Sequence, residues 1–145
     1  FIGGDHWYYI SKNTQIVAAV IVSQVEHHES QYFLHGLVTA KAQQNLGLAT
    51  ALLAYAQSQH SPLVCFAANA MSAFYLAKQF KKVPQKQINT YLNEQLSLRF
   101  HRYLTRKADL RVFIYDTPVE YDSNHNLIFL VLIYIYFHIL FYDYI

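Results

Sequence analysis

The apolar positions of this chain change period twice, and the changes mark its elements. Trp7 to Ser11, WYYIS, is strand-like, and Lys12-Asn13 supplies a turn. Residues 15–23, QIVAAVIVS, predict a second strand whose near-continuous apolar run implies burial on both faces. Glu26 to Ser30 is polar and predicts a loop. Gln31–Thr39 predicts a third strand, completing an antiparallel meander. From Asn45 to His60 the period becomes helical: Leu46, Ala49, Leu52, Leu53 and Ala56 recur at helical spacing, and Ser61-Pro62 ends the run. A short apolar strand, LVCFA at 63–67, precedes a second helical pattern from Ala70 to about Phe80, through Met71, Phe74, Tyr75 and Ala77. Strand, helix, strand, helix at this spacing predicts a βαβ unit whose crossover helix covers the sheet.

Beyond Pro84 the spacing of Ile88, Tyr91, Leu92 and Leu96 predicts a short amphipathic helix. Two period-two stretches close the domain. Leu96, Leu98 and Phe100 alternate with Ser97, Arg99 and His101, and Leu110, Val112 and Ile114 alternate with Arg111, Phe113 and Tyr115. The polar TRKAD between them predicts a hairpin. There is no internal repeat and no low-complexity linker.

Composition adds one anomaly. At 145 residues, 54% apolar and 14% charged, the chain has room for one compact core and is not a disordered, highly charged tail. A single cysteine excludes a disulfide framework and a multi-cysteine zinc site. The aromatic content of 17% is high, and it concentrates in residues 127–145, LIFLVLIYIYFHILFYDYI. The chain therefore divides into a domain over residues 1–120 and a hydrophobic aromatic tail over 121–145. Residues 127–142 carry no Asp, Glu, Lys or Arg. As a helix they would span ~24 Å, short of a ~30 Å hydrocarbon core. A membrane anchor, a segment packed on the domain, and a run written by AT-rich coding in a shifted frame are the three readings, and the last is preferred.

The ends and the charge narrow the setting. The chain opens on Phe1 with no basic segment ahead of an apolar run, so no signal peptide is expected and a cytoplasmic location is. A start in mid-sequence predicts elements missing upstream. The net charge of +2 hides an asymmetry, because nine of the eleven cations lie between Lys78 and Arg111, against only Glu94 and Asp109. Such a stretch could hold a polyanion, but no nucleic-acid motif accompanies it. A solvated face is expected, and no nucleic-acid partner.

The stretch that carries chemistry is Gln44-Asn45-Leu46-Gly47-Leu48-Ala49-Thr50, between the third strand and its helix. Small residues at 47 and 49 let a ligand approach the backbone closely. The first-turn N–H groups of the following helix lack intrahelical acceptors and carry the positive end of the macrodipole. Together these make a pyrophosphate site that needs few cationic side chains.

On these residues the sequence resembles the GNAT superfamily, the Gcn5-related N-acetyltransferases. Gln44, Gly47 and Ala49 fill the defined positions of the family's acyl-CoA-binding motif, [Q/R]-x-x-G-x-[G/A]. The run from Asn69 through Phe74-Tyr75 to Gln79-Phe80 is similar to its second motif, N…A…(F/L)Y-x-x-x-G-F. The resemblance covers roughly residues 7–116 and implies a mixed α/β fold with a mostly antiparallel sheet flanked by helices. It departs in three places. Gln79 stands where the family has Gly, at a helix end where a left-handed cap favours Gly by about 1 kcal/mol. Asn69 stands one residue closer to Tyr75 than the family pattern has it. The family's first strand and two helices, which help form the acceptor pocket, have no counterpart ahead of residue 7.

The resemblance implies acetyl-CoA as co-substrate, with its pyrophosphate on the backbone of Asn45, Leu46, Gly47, Leu48, Ala49 and Thr50 and with Gln44 at the loop entry. It also implies Tyr75 as the general acid that protonates the departing thiolate, though a tyrosine at helical spacing beside Phe74 also fits a core position. Asn69 would bind the cofactor or, the preferred role, cap the helix expected to start at Ala70. For the base that takes the amine's proton, His35 is the choice, with Glu26 and Glu29 as alternatives. Glu26-His27-His28-Glu29 does not predict a metal site, because adjacent strand histidines point to opposite faces and no third ligand sits at useful spacing. Cys65 is expected to be a buried, inert thiol. The expected activity is transfer of an acetyl group to a primary amine of a small molecule or peptide, by direct attack in a ternary complex. The alternative is an inactive GNAT-like module that binds CoA or a protein. A homodimer and a membrane contact through residues 127–142 stay open.

Overall fold

The computed structural model describes residues 4–25 and 31–117. Strands β1 (Asp5–Lys12), β2 (Gln15–Val25) and β3 (Gln31–Thr39) form the antiparallel meander. A 3-10 turn at Lys41–Gln43 and a short loop lead into α1 (Leu48–Gln59), which returns the chain to β4 (Leu63–Ala68), parallel to β3. A 3-10 turn at Asn69–Met71 precedes α2 (Ser72–Ala77) and a two-residue strand, β5 (Lys81–Lys82). A further 3-10 turn at Gln85–Gln87 leads to α3 (Ile88–Tyr91), α4 (Glu94–Leu104) and β6 (Leu110–Tyr115). The strands make one six-stranded sheet in the order β1-β2-β3-β4-β6-β5, in which only β3 and β4 pair in parallel among the described residues. This is the mixed, mostly antiparallel sheet with flanking helices.

Alternation along the strands builds two cores, one on each face. Val20, Val22, Leu34, Cys65 and Phe113 pack against Leu52, Leu53 and Ala56 of α1 and Tyr75 of α2. Phe33, Val64, Val112 and Ile114 point the other way and pack against Ile88 of α3 and Leu96 and Phe100 of α4. The continuous apolar run of β2 is thus only partly explained by double burial. Val20 and Val22 are buried under α1, while Ala19 and Ile21, on the opposite face, are half-exposed.

One predicted element is wrong. Residues 96–101 are not a strand and TRKAD does not turn a hairpin; α4 runs through Glu94–Leu104. The period-two and helical patterns share Leu96 and Phe100, which lie four apart and are both buried, and they differ at Leu98, which is 61% exposed. The helix start decides between them. Asn93 accepts the Leu96 N–H on its side chain at 2.9 Å, Glu94 occupies the first turn, and His101 and Arg102 the last, so both ends complement the macrodipole. The amphipathic pattern after Pro84 is also split, with α3 ending at Tyr91 before α4 begins.

The end of α2 follows the left-handed cap that the motif implies, although the residue there is not glycine. Gln79 has φ 66°. Its N–H donates to the Leu76 carbonyl at 3.1 Å and the Phe80 N–H to the Tyr75 carbonyl at 3.1 Å, while the Tyr75 and Phe80 rings meet at 5.4 Å. This is a Schellman cap with its hydrophobic contact. Because an L-residue carries a penalty of about 1–2 kcal/mol in this conformation, Gln79→Gly should stabilise the protein by about 1 kcal/mol. The denaturation midpoint in urea should rise with the slope unchanged; an unchanged or lower midpoint would argue against this cap geometry.

Candidate active site

The loop between β3 and α1 takes its shape from a few residues. Gln44 is extended, with φ −69° and ψ 156°. Its side-chain amide donates to the Thr39 carbonyl at 3.4 Å and its N–H to the Lys41 carbonyl at 3.4 Å, so it braces the loop from within. Asn45 (φ 62°) and Gly47 (φ 79°) are left-handed, a conformation that asparagine and glycine accept at lower cost than other residues. Gly47 stands directly ahead of α1, and its carbonyl accepts the Ala51 N–H at 3.0 Å. No side chain caps this end, and the first turn contains no acidic residue. The N–H groups of Leu48, Ala49 and Thr50 therefore lie beyond the reach of intrahelical acceptors, at the positive end of the helix. A Cβ at position 47 would have nothing within 4 Å, so the space before these amides is open.

That space is a cleft of about 410 Å³. Gln44, Asn45, Gly47, Leu48, Ala49 and Thr50 form one wall, Met71 and Phe74 the other, with Thr39 and Gln43 completing it. Leu46 does not line it and is 62% exposed. The cleft lies at the carboxyl ends of the parallel pair. β3 and β4 pair only from Tyr32↔Leu63 to Leu34↔Cys65, yet β3 continues to Thr39 and β4 to Ala68, so the strands part beyond that rung. A crevice outside the carboxyl ends of adjacent parallel strands, with a helix start facing it, is where open α/β sheets bind ligands. A bulge on β3 accompanies the parting. Ala19↔Val38 is followed by Ile21↔His35, and Gly36 (φ 63°) takes the left-handed position, where an added Cβ would lie 3.3 Å from Ile21 Cδ1.

The remaining predicted site residues are placed around this parting, not along the cleft wall. Tyr75 is 6% exposed, its ring stacked on Phe113 at 4.9 Å. Cys65, which packs in the same core, stands on the last paired rung of β3 and β4. Burial pushes the Tyr75 phenol well above its usual value, and the same cause raises the Cys65 thiol, which is 1% exposed. Its neighbour Phe74 faces the cleft instead, with the Lys78 ammonium 5.0 Å above its ring.

His35 follows Leu34, one residue past that rung, on the opposite face of the sheet from Tyr75. It stacks on Phe33 at 5.2 Å, and its Nε2 lies 2.8 Å from Ser23 Oγ. Burial lowers its pKa; Asp5 opposes that effect and Arg99 adds to it. Asn69 does not cap α2, which begins at Ser72 with no side-chain cap. Its carboxamide oxygen instead accepts from the Lys82 ammonium and, at 3.4 Å, from the Ser72 hydroxyl. The chain makes a 3-10 turn through Asn69–Met71 first, which moves the helix start past the reach of that side chain.

Thr39, Gln43, Met71 and Phe74 are the cleft residues that sequence reasoning missed. The helical spacing of Met71 and Phe74 does not say which side of the segment meets the sheet, and Thr39 and Gln43 flank the motif without belonging to it. Among the described residues no group of three His, Cys, Asp or Glu side chains is arranged to hold a metal, and no helix is long and apolar enough to cross a membrane. Glu26, His27, His28 and Glu29 and the aromatic tail lie outside the described residues.

The family whose sequence model matches this chain is the acetyltransferase (GNAT) family, over residues 2–75. No curated protein sequence matches it. Among solved structures, the Bacillus subtilis N-acetyltransferase YlbP protein in complex with coenzyme A superposes with a TM-score of 0.53 and 19% identity, over 76% of this chain and 66% of that one. A putative GNAT acetyltransferase of Desulfovibrio desulfuricans gives 0.57 and 14%, over 79% and 70%. N-acetylglutamate synthase from Neisseria gonorrhoeae, complexed with coenzyme A and N-acetyl-glutamate, gives 0.57 and 12%, over 74% of this chain and 24% of that one. At these identities the likeness is one of fold.

Proposed function

Because the chain belongs to the acetyltransferase (GNAT) family, we propose that it transfers an acetyl group from acetyl-CoA to a primary amine, with both substrates bound together. The observation that carries this reading is the uncapped start of α1 behind left-handed Gly47, opening on a 410 Å³ cleft where β3 and β4 part. The residues fit the group. Three adjacent amides, no acidic side chain in the first turn and open space before Gly47 suit a pyrophosphate. Bound there, acetyl-CoA supplies an acyl group activated as a thioester.

The chain's own groups do the rest. The amides of Asn45, Gly47, Leu48, Ala49 and Thr50 hold the pyrophosphate, and Gln44 keeps the loop in shape. Backbone N–H groups of β3 beyond Leu34, where β4 no longer pairs, stabilise negative charge on the thioester oxygen. His35 takes a proton from the attacking amine, directly or through water, and Tyr75 gives its hydroxyl proton to the departing thiolate. A raised phenol pKa suits that role, because it keeps the donor protonated at neutral pH. Holding amine and thioester in one crevice supplies the proximity that direct transfer needs. The acceptor is a small-molecule or peptide amine.

The test is acetyl transfer across a panel of amines. Free thiol should appear only with amine present and in equal amount to N-acetylated product measured by mass spectrometry. Acetyl-CoA binding without transfer to any amine would overturn the enzymatic reading and leave a binding module.

A further inference from the structure

The positive charge concentrated between Lys78 and Arg111 has no part in the reaction proposed above, and the fold gathers some of it at one place. Lys82, Lys86 and Arg111 line a hollow of about 620 Å³ at the β5 edge of the sheet, and no aspartate or glutamate lines it with them. The hollow shares no residue with the cleft before α1. Its three cations come from separate elements. Lys82 ends β5, Lys86 sits in the 3-10 turn after Pro84, and Arg111 stands on β6, the strand that pairs with β5.

Among the described residues the hydrogen-bond partners of these cations are neutral. The Lys82 ammonium donates to Asn69 Oδ1, and Arg111 Nη1 donates to the carbonyls of Ala108 at 3.1 Å and Leu110 at 2.7 Å. Those two bonds use both hydrogens of Nη1 and brace the half-buried guanidinium against the turn ahead of β6. Nε and Nη2, the side-on fork that suits a carboxylate or phosphate, keep their donors. Bringing three like charges to one hollow costs energy that an anion in it recovers.

We propose that this hollow is a second binding site, which takes the carboxylate or phosphate group of a small molecule. Arg111 grips the group through its fork, and Lys82 and Lys86 supply further charge. Its volume is that of a small-molecule site, and the other cations between Lys78 and Arg111 do not line it, so they make no continuous track for a polyanion. The proposal does not depend on what the cleft before α1 binds. Two sources share the required chemistry, the 3′-phosphate of CoA and an acidic group on the acceptor amine.

The experiment titrates the full chain with inorganic phosphate and, separately, with citrate, at fixed ionic strength. Backbone amide NMR and the Arg111 Nε–H resonance report the binding. Saturable shifts should appear at Val83, at Gln85–Gln87 and at the Arg111 Nε–H. Lys86 is exposed, so Lys86→Gln should fold normally and weaken binding about threefold, as the loss of one solvated charge does. Arg111→Lys keeps the charge but loses the fork, and should weaken binding about 10-fold. Gly47→Val obstructs the other anion site and should leave these shifts unchanged, so the two sites stand or fall separately. Saturation by neither anion, shifts spread evenly over the surface lysines, or equal affinities in both variants and the unaltered protein would overturn the proposal. Acetyl-CoA compared with its 3′-dephospho form, and amines compared with and without a carboxylate, then identify the source. The two variants should weaken only the member of a pair that carries the group the hollow takes. If they discriminate within neither pair while still weakening phosphate, the ligand is a third small anion and the site stands.

Discussion

Gly47→Val should weaken acetyl-CoA binding about 100-fold while the sheet stays folded. Two effects act at this position. The left-handed φ of 79° penalises any L-residue by about 1–2 kcal/mol, and a β-branched one most. That part acts on the folded protein and lowers the denaturation midpoint. The second acts on the ligand. A Cβ at 47 meets no protein atom within 4 Å, so the isopropyl group projects into the space before the Leu48, Ala49 and Thr50 amides. Displacing a phosphate from there loses one or two charge-assisted hydrogen bonds, each worth about 1.5–3 kcal/mol, which converts to roughly two orders of magnitude in Kd. Gly47→Ala separates the terms, because it takes most of the strain with little of the bulk. Calorimetry should find its stability loss comparable but its loss of affinity clearly smaller. Equal affinities for valine, alanine and glycine at 47 would remove this loop from the binding site.

Tyr75→Phe should lower kcat about 100-fold and leave acetyl-CoA affinity within about twofold, the signature of a lost general acid and not of lost binding. The ring is the structural part of Tyr75. It stacks on Phe113 and packs edge-on against Phe74 and Phe80, and phenylalanine keeps all three contacts. Only the hydroxyl, beside the Cys65 thiol in the same core, is lost. Stability should therefore change little, so an activity loss cannot be put down to unfolding. The pH profile adds a sign. Burial holds the phenol above its ordinary value, so an alkaline limb near or below pH 10 in the unaltered enzyme does not arise from Tyr75 and should persist in the variant. Unchanged kcat in Tyr75→Phe would make this tyrosine a core residue alone.

What was legible in the sequence is what neighbours along the chain decide. The strand that ends at Thr39, the small residues at 47 and 49 and the helical face of Leu52, Leu53 and Ala56 are all local patterns. Together they locate the binding loop. Residues 96–101 of α4 fit two periods, and the Asn93 cap that settles the matter precedes that window. Met71 and Phe74 carry no such signal, because a 3-10 turn and a helix six residues long do not show which side meets the sheet. The link from Asp5 through Ser23 to His35 joins three strands across register pairs. No spacing in the chain announces it, although a serine within an apolar strand was a signal that something polar must face it.

Backbone amide NMR during an acetyl-CoA titration tests the central claim most directly. The account predicts saturable one-to-one binding, with the largest shifts at residues 45–50 and slowed amide exchange at Leu48, Ala49 and Thr50. No binding, or shifts confined to another surface such as the one around Lys82, Lys86 and Arg111, would contradict it.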